Sequence, residues 1–208
     1  MPFDPNPWPV LLPVLVLAGA VLLFVLVLAR RPGGGEAEEE GAPVTGSMTG
    51  RVGGAFSGYN IECSLHAGGG LRGRFGGAVL GKDLDLTLDS GRLDGRCGGA
   101  VDGKDIHAIF DQDRLQGRIG GPFGGADINL ERRGDLVTGR VGGPVIGFDV
   151  NLAHDPDSAQ LHGRLGGAMV GHDVSATIQG LPPLVAGALA CAVYYEILQE
   201  RRTAGHRA

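Results

Sequence analysis

The 208 residues hold one domain of ordinary size plus an appendage. A net charge of −5, with one Trp, three Tyr and seven Phe, offers neither the basic footprint nor the stacking surface of a nucleic-acid binder. Three cysteines at unrelated spacings, Cys63, Cys97 and Cys191, make neither a disulfide framework nor a zinc motif and read as buried reduced thiols.

Residues 1–9 form a short N-terminal stretch, expected outside the cytoplasm. Residues 10–29 run without a charged or polar side chain, long enough at about 1.5 Å per residue to cross a hydrocarbon core of roughly 30 Å. Trp8 stands at the interfacial position and Arg30-Arg31 follow directly, which places the rest of the chain in the cytoplasm. A cleaved signal peptide is the competing reading; it lacks a basic residue ahead of the run, and the run exceeds a usual signal core. The sequence thus predicts a single-pass protein of the cell membrane, with lipid as a partner of its N-terminal helix. Residues 30–47, rich in Gly and Glu with no apolar period, read as a flexible linker.

From there Gly-Arg-x-Gly-Gly recurs six times, beginning at Gly50, Gly73, Gly95, Gly117, Gly139 and Gly163, at spacings of 23, 22, 22, 22 and 24 residues. Residues 48–180 are therefore a six-fold internal repeat. The 39 glycines of the chain are far above ordinary usage, but many sit at fixed repeat positions, which marks demanding backbone geometry and not disorder. Each copy carries a dipeptide ending in Gly at one place: Ser57-Gly58, Leu80-Gly81, Asp102-Gly103, Gly124-Gly125, Ile146-Gly147 and Val170-Gly171. As two-residue hairpin turns these pair Val79 with Lys82, Gly77 with Leu84 and Phe75 with Leu86. One face is then apolar or Gly, and the other carries Arg72, Arg74, Asp83, Asp85, Thr87 and Asp89, with a period of two along both strands. Inward residues elsewhere are Ile61, Cys63 and Leu65; Ile106, Ala108 and Phe110; Ile128 and Leu130; Val150 and Leu152; Val174, Ala176 and Ile178. Between repeats, a turn at Ser90-Gly91 sets Asp85 against Arg96 and Leu84 against Cys97. The same register sets Glu62 against Arg74, His107 against Arg118, Asn129 against Arg140 and Asn151 against Arg164. Such pairs keep register on a solvated face.

Six hairpins in series make twelve short strands, and closing them into an up-and-down barrel removes both open edges. The predicted class is mainly β: a twelve-stranded antiparallel closed barrel. Side chains alone do not fill so wide a cylinder, and the inward glycines widen it further. Leu184 to Val193 is apolar on every side and rich in Ala, the pattern of a helix buried all round, and Pro182-Pro183 suits a sharp entry. Residues 181–199 are accordingly expected to plug the barrel, with a basic tail over 200–208. A second membrane span is the rival reading of this helix, for which it is short.

A twelve-stranded barrel closed around a hydrophobic C-terminal helix resembles the tubby-like architecture shared with phospholipid scramblases. The likeness covers Thr49 to Gln199 and rests on strand count, meander order and the terminal apolar helix; no family motif matches, so no functional residue is carried over. It implies a non-enzymatic domain working at or near lipid.

No catalytic constellation, metal cluster or cofactor motif stands out. Gly99, Gly103 and Asp105 resemble a calcium-binding nonapeptide, but at a period of 22 instead of nine. His66, His107, His154, His162, His172 and His206 fall at unrelated points of the repeat, as surface histidines do. Asp83, Asp105, Asp127, Asp149 and Asp173, with Asn60, follow the turn at one register, as turn hydrogen bonding predicts. Apolar Leu80, Ile146 and Val170 stand on the tips, flanked by Tyr59 and Phe148, at the rim where the plug should emerge with Arg201 and Arg202. This rim is the candidate site, for an anionic lipid or a protein. The function expected is a membrane-anchored, non-catalytic binding or scaffold module. Two alternatives are a lipid-handling protein in the scramblase manner, and a pore whose apolar face meets lipid while Arg and Asp line the lumen.

Overall fold

A computed structural model describes residues 42–54, 58–77, 81–99, 103–121, 124–167 and 169–205. The expected span at 10–29 and most of the linker lie outside the described residues, as does Leu80. Among the described residues no helix is long and apolar enough to cross a membrane.

Twelve strands follow one another: β1 (Val44–Gly53), β2 (Gly58–His66), β3 (Gly70–Gly76), β4 (Gly81–Asp89), β5 (Arg92–Cys97), β6 (Lys104–Phe110), β7 (Arg114–Ile119), β8 (Ala126–Arg133), β9 (Leu136–Gly142), β10 (Gly147–Asp155), β11 (Gln160–Gly166) and β12 (Gly171–Gln179). Each pairs antiparallel with its sequence neighbours, and β1 pairs with β12 from Ser47↔Gln179 to Val52↔Val174, so the barrel is closed. The first strand begins at Val44, inside the expected linker, because residues 44–47 find partners in β2.

The connections between repeats follow the expected register, including Leu84↔Cys97, Asp85↔Arg96 and Glu62↔Arg74. Those within repeats do not. Phe75 pairs with Lys82, Gly73 with Leu84 and Gly76 with Gly81, so the connection is a four-residue loop over 77–80 and not a two-residue turn. The same width holds at 54–57, 143–146 and 167–170. The fourth Gly-Arg-x-Gly-Gly position opens the wider loop: Gly76, Gly98, Gly120, Gly142 and Gly166 have φ of 122°, 98°, 92°, 91° and 89°, a region that side chains resist. The shift moves the pairing by an even number of residues, so every side chain keeps its expected face.

That face is the interior. Ile61, Cys63, Leu84, Leu86, Ile106, Ile128, Leu130, Val150, Leu152, Val174, Ala176 and Ile178 are buried, joined by Met48, Val52, Leu71, Leu93, Leu115, Val137 and Leu161. Arg72, Asp83, Asp85, Thr87 and Asp89 are exposed on the outer wall. Apolar residues therefore point inward and charges outward, opposite to a barrel whose apolar face meets lipid. The first motif glycines do more than leave space: a side chain at Gly95 would meet the backbone of the neighbouring strand, with Leu86 Cα at 2.6 Å. Close strand approach at such points accompanies tight barrel curvature.

The helix α1 (Pro183–Gly205) occupies the interior. It touches strands on opposite sides of the ring, including β1, β2, β8 and β11, and every residue named in the core from Leu184 to Tyr194 is at most 2% exposed. All three cysteines are free and buried, with Cys191 on the plug itself. The helix runs six residues past the expected end at 199. Its 23 residues span about 34 Å, whereas nine-residue strands tilted near 40° stand roughly 23 Å tall, so the last turns project beyond the barrel.

Candidate functional site

The projecting helix leaves through the rim formed by the six in-repeat loops. Tyr194 donates its hydroxyl to the Val170 carbonyl at 3.1 Å, and Tyr195 to that of Gly124 at 2.7 Å. The helix enters at the opposite rim, beyond the end of β12. The chain also enters there: Ala67 N–H donates to the Pro43 carbonyl at 2.9 Å.

The loops are held by the motif arginines. Arg96 Nη1 donates to Asp105 Oδ1 at 2.7 Å, Nε to the Gly99 carbonyl at 3.3 Å and Nη2 to the Gly103 carbonyl at 3.2 Å. Arg164 repeats this on Asp173 (2.5 Å), Gly167 and Gly171, and Arg51 on Asn60 (2.6 Å), Gly54 and Gly58. Arg118 pairs with Asp127 and Arg140 with Asp149. The regular Asp series is thus the partner of the Arg series, nine residues on, and not a set of turn acceptors. A two-residue turn hides this, since Arg74 stands opposite Asp83 only when the loop is four residues long.

Eight residues after each motif Arg, at the rim end of the next strand, the residue that strand alternation puts on the inward face is Tyr59, Lys82, Lys104, Ala126, Phe148 or His172. Lys82 Nζ lies 2.6 Å from Glu196 Oε2 and 3.2 Å from Glu200 Oε1. Glu196 is 2% exposed, and its Oε1 has no hydrogen-bond partner. Burial alone would lower the Lys82 pKa; hydrogen bonds and charge from Glu196 and then Glu200 outweigh it and hold the ammonium above its usual range. Tyr59 donates to Glu200, and burial first, then that bond, pushes its phenol up to about 12. On the other side Arg201 Nη2 meets His172 Nε2 at 3.0 Å, while Phe148 packs edge-on against Tyr194 with ring centroids 4.7 Å apart. These contacts fix the rotation of the plug about its own axis.

The expected rim residues therefore divide. Ile146 and Val170 are exposed at 67% and 71%, and Arg201 and Arg202 are exposed on the projecting turn. Tyr59 and Phe148 instead point inward and hold the plug, because the four-residue loop places both within the strand ladder. His172, expected at the surface, is buried for the same reason. Val145 (92%) and Met169 (95%) are more exposed than the tip residues the sequence suggested. Their signal lay in the repeat: the fifth residue after each motif Arg is always large and apolar, as Phe56, Val79, Val101, Phe123, Val145 and Met169.

Between the β7–β8 and β9–β10 loops and the helix lies a cleft of about 320 Å³. Val141, Phe148, Tyr195 and Leu198 supply apolar walls, and Arg118, Asp127 and Arg202 its charges. Among the described residues no group of three or more His, Cys, Asp or Glu could hold a metal ion. Set against protein-family models, curated protein sequences and solved structures, the chain matches none.

Proposed function

We propose that the chain is a membrane-anchored, non-catalytic binding module, held by residues 10–29 with its barrel on the cytoplasmic side, whose loop rim docks on an anionic leaflet. One observation carries this reading. The four most exposed large apolar side chains among the described residues, Val145, Ile146, Met169 and Val170, all stand on two neighbouring loops, at the rim where Arg201 and Arg202 emerge. Exposed apolar groups beside cations suit a lipid surface, where each cation adds about 1 kcal/mol. The resemblance in layout to tubby-like and scramblase barrels supports work near lipid.

Flotation of residues 42–208 with vesicles tests it. Binding should require anionic lipid, and Arg201→Gln with Arg202→Gln should weaken it about thirtyfold, as two cations at about 1 kcal/mol each imply. Serine at all four apolar positions should abolish it. Unaltered binding in both variants would refute docking through this rim. Lipid flipping in proteoliposomes would favour the scramblase-like alternative over a binding module.

A further inference from the structure

Two of the ties that hold the projecting helix end at one loop, residues 167–170, which bears the exposed Met169 and Val170. Tyr194 donates to the Val170 carbonyl, and Arg201 reaches His172 just past the loop. The second tie fixes a protonation state. His172 Nδ1 lies 2.9 Å from the Gly171 carbonyl, which only accepts, so Nδ1 carries the ring hydrogen. Arg201 Nη2 only donates and lies 3.0 Å from Nε2, so Nε2 offers its lone pair. The imidazole is therefore neutral, its tautomer selected from both sides. A further proton would turn Nε2 into a donor and set one cation against another. His172 is only 8% exposed, so water would do little for that charge. The carboxylates of the elements around it are answered elsewhere. Glu196 and Glu200 of α1 face Lys82, and Asp173 of β12 pairs with Arg164 of β11 on the outer wall. β1 has no carboxylate, its Arg51 is bound to Asn60, and loop 167–170 has no titratable residue. Of the other helix groups, Tyr194 sets its ring 5.2 Å from the imidazole, and Arg202 lines the cleft beside the β9–β10 loop.

We propose that docking on an anionic leaflet takes up one proton at His172, which releases Arg201 so that the guanidinium reaches a lipid phosphate with the imidazolium behind it. The inference rests on the docking reading and adds to it a headgroup site and a pH dependence. A lipid phosphate supplies the missing anion: it draws Arg201 off Nε2 and stabilises the charge left on the ring. Imidazole is the side chain that changes charge between about pH 5 and 8, and a leaflet near −30 mV concentrates protons about threefold at its surface. The docked state holds one proton more than the free state, so affinity rises as pH falls, by at most about tenfold per unit.

The full chain in nanodiscs tests this, with phosphatidylcholine compared against phosphatidylglycerol, whose phosphodiester keeps its charge over the range used. Imidazole nitrogen shifts in phosphatidylcholine near neutral pH should report His172 as the neutral Nδ1–H tautomer, and phosphatidylglycerol should move its protonation to higher pH. Docking is read as the extra amide-exchange protection that phosphatidylglycerol gives loops 143–146 and 167–170. Between about pH 8 and 5.5 that protection should rise at least about fivefold more in the unmodified chain than in His172→Gln. The glutamine amide oxygen can accept from Arg201 but takes up no proton, and the other histidines, His206 of the tail included, titrate in both proteins. An Nε2–H tautomer, a protonation range indifferent to lipid charge, or equal pH dependence in the two proteins overturns the latch while loop protection leaves docking standing. Absence of loop protection at every pH sinks the docking reading and the latch with it.

Discussion

Arg51, Arg96, Arg140 and Arg164 each close one hairpin loop with a single planar group, satisfying two loop carbonyls and a carboxylate or amide oxygen together. Guanidinium geometry is required for this, because an ammonium reaches the carboxylate but not the two carbonyls in one plane. The Arg96 and Asp105 side chains are 39% and 45% exposed, which keeps the value of one clasp modest. Arg96→Lys is therefore expected to cost only about 1 kcal/mol in global stability while accelerating amide exchange of the 99–103 loop several-fold. Unchanged loop exchange would show that the clasp does not hold the loop. The arginines and aspartates were both visible in the sequence at a constant separation. Their partnership was not, because strand alternation fixes which face a side chain takes but cannot distinguish registers that differ by an even number of residues. A loop of four residues in place of two thus keeps every core side chain on its face and brings the ion pairs together.

Among the elements, the plug was the most legible, since Leu184 to Val193 has no polar side to turn to water. Its rotational lock was less so, although Lys82 gave a signal: it falls on the inward face of a strand, where a cation needs a buried partner. That partner, Glu196, stands just past the apolar run, where nothing in the sequence sets it against Lys82. Removing one member of a buried pair strands the other, so Lys82→Met should destabilise the fold by about 3 kcal/mol, leaving Glu196 without its cation. The pH dependence has a defined sign. A raised lysine pKa in the folded state gives stabilisation that is full below the unfolded value of about 10.4 and is lost as pH rises through the folded value. Tyr59, raised to about 12, acts in the same direction above about pH 10. Burial also raises the thiols of Cys63, Cys97 and Cys191, so melting temperature should begin to fall above about pH 8.5 and fall more steeply above about 10, with a shallower slope in Lys82→Met over that upper range. Equal slopes would mean that the pair contributes nothing in that range.

At the scale of the whole molecule, the described barrel has two unlike ends. The chain enters at one rim, by Ala42 and Pro43, and the helix leaves at the other among exposed apolar loops and arginines. Six-fold repetition builds the wall, and the departures from it, Lys82, Ala126, Phe148 and His172 at equivalent positions, give the exit rim its chemistry. Closure and plugging depend on each other: twelve strands curl only as far as a slim rod of Leu, Val, Ala and Cys can fill, and that rod has no other place to bury its surface. Denaturant unfolding of a chain ending at Pro182 measures this dependence most directly. Without the helix the cooperative transition should be lost, and the exposed apolar surface should bind a hydrophobic dye. A shortened chain that unfolded in one sharp step near the midpoint of the intact protein would contradict it.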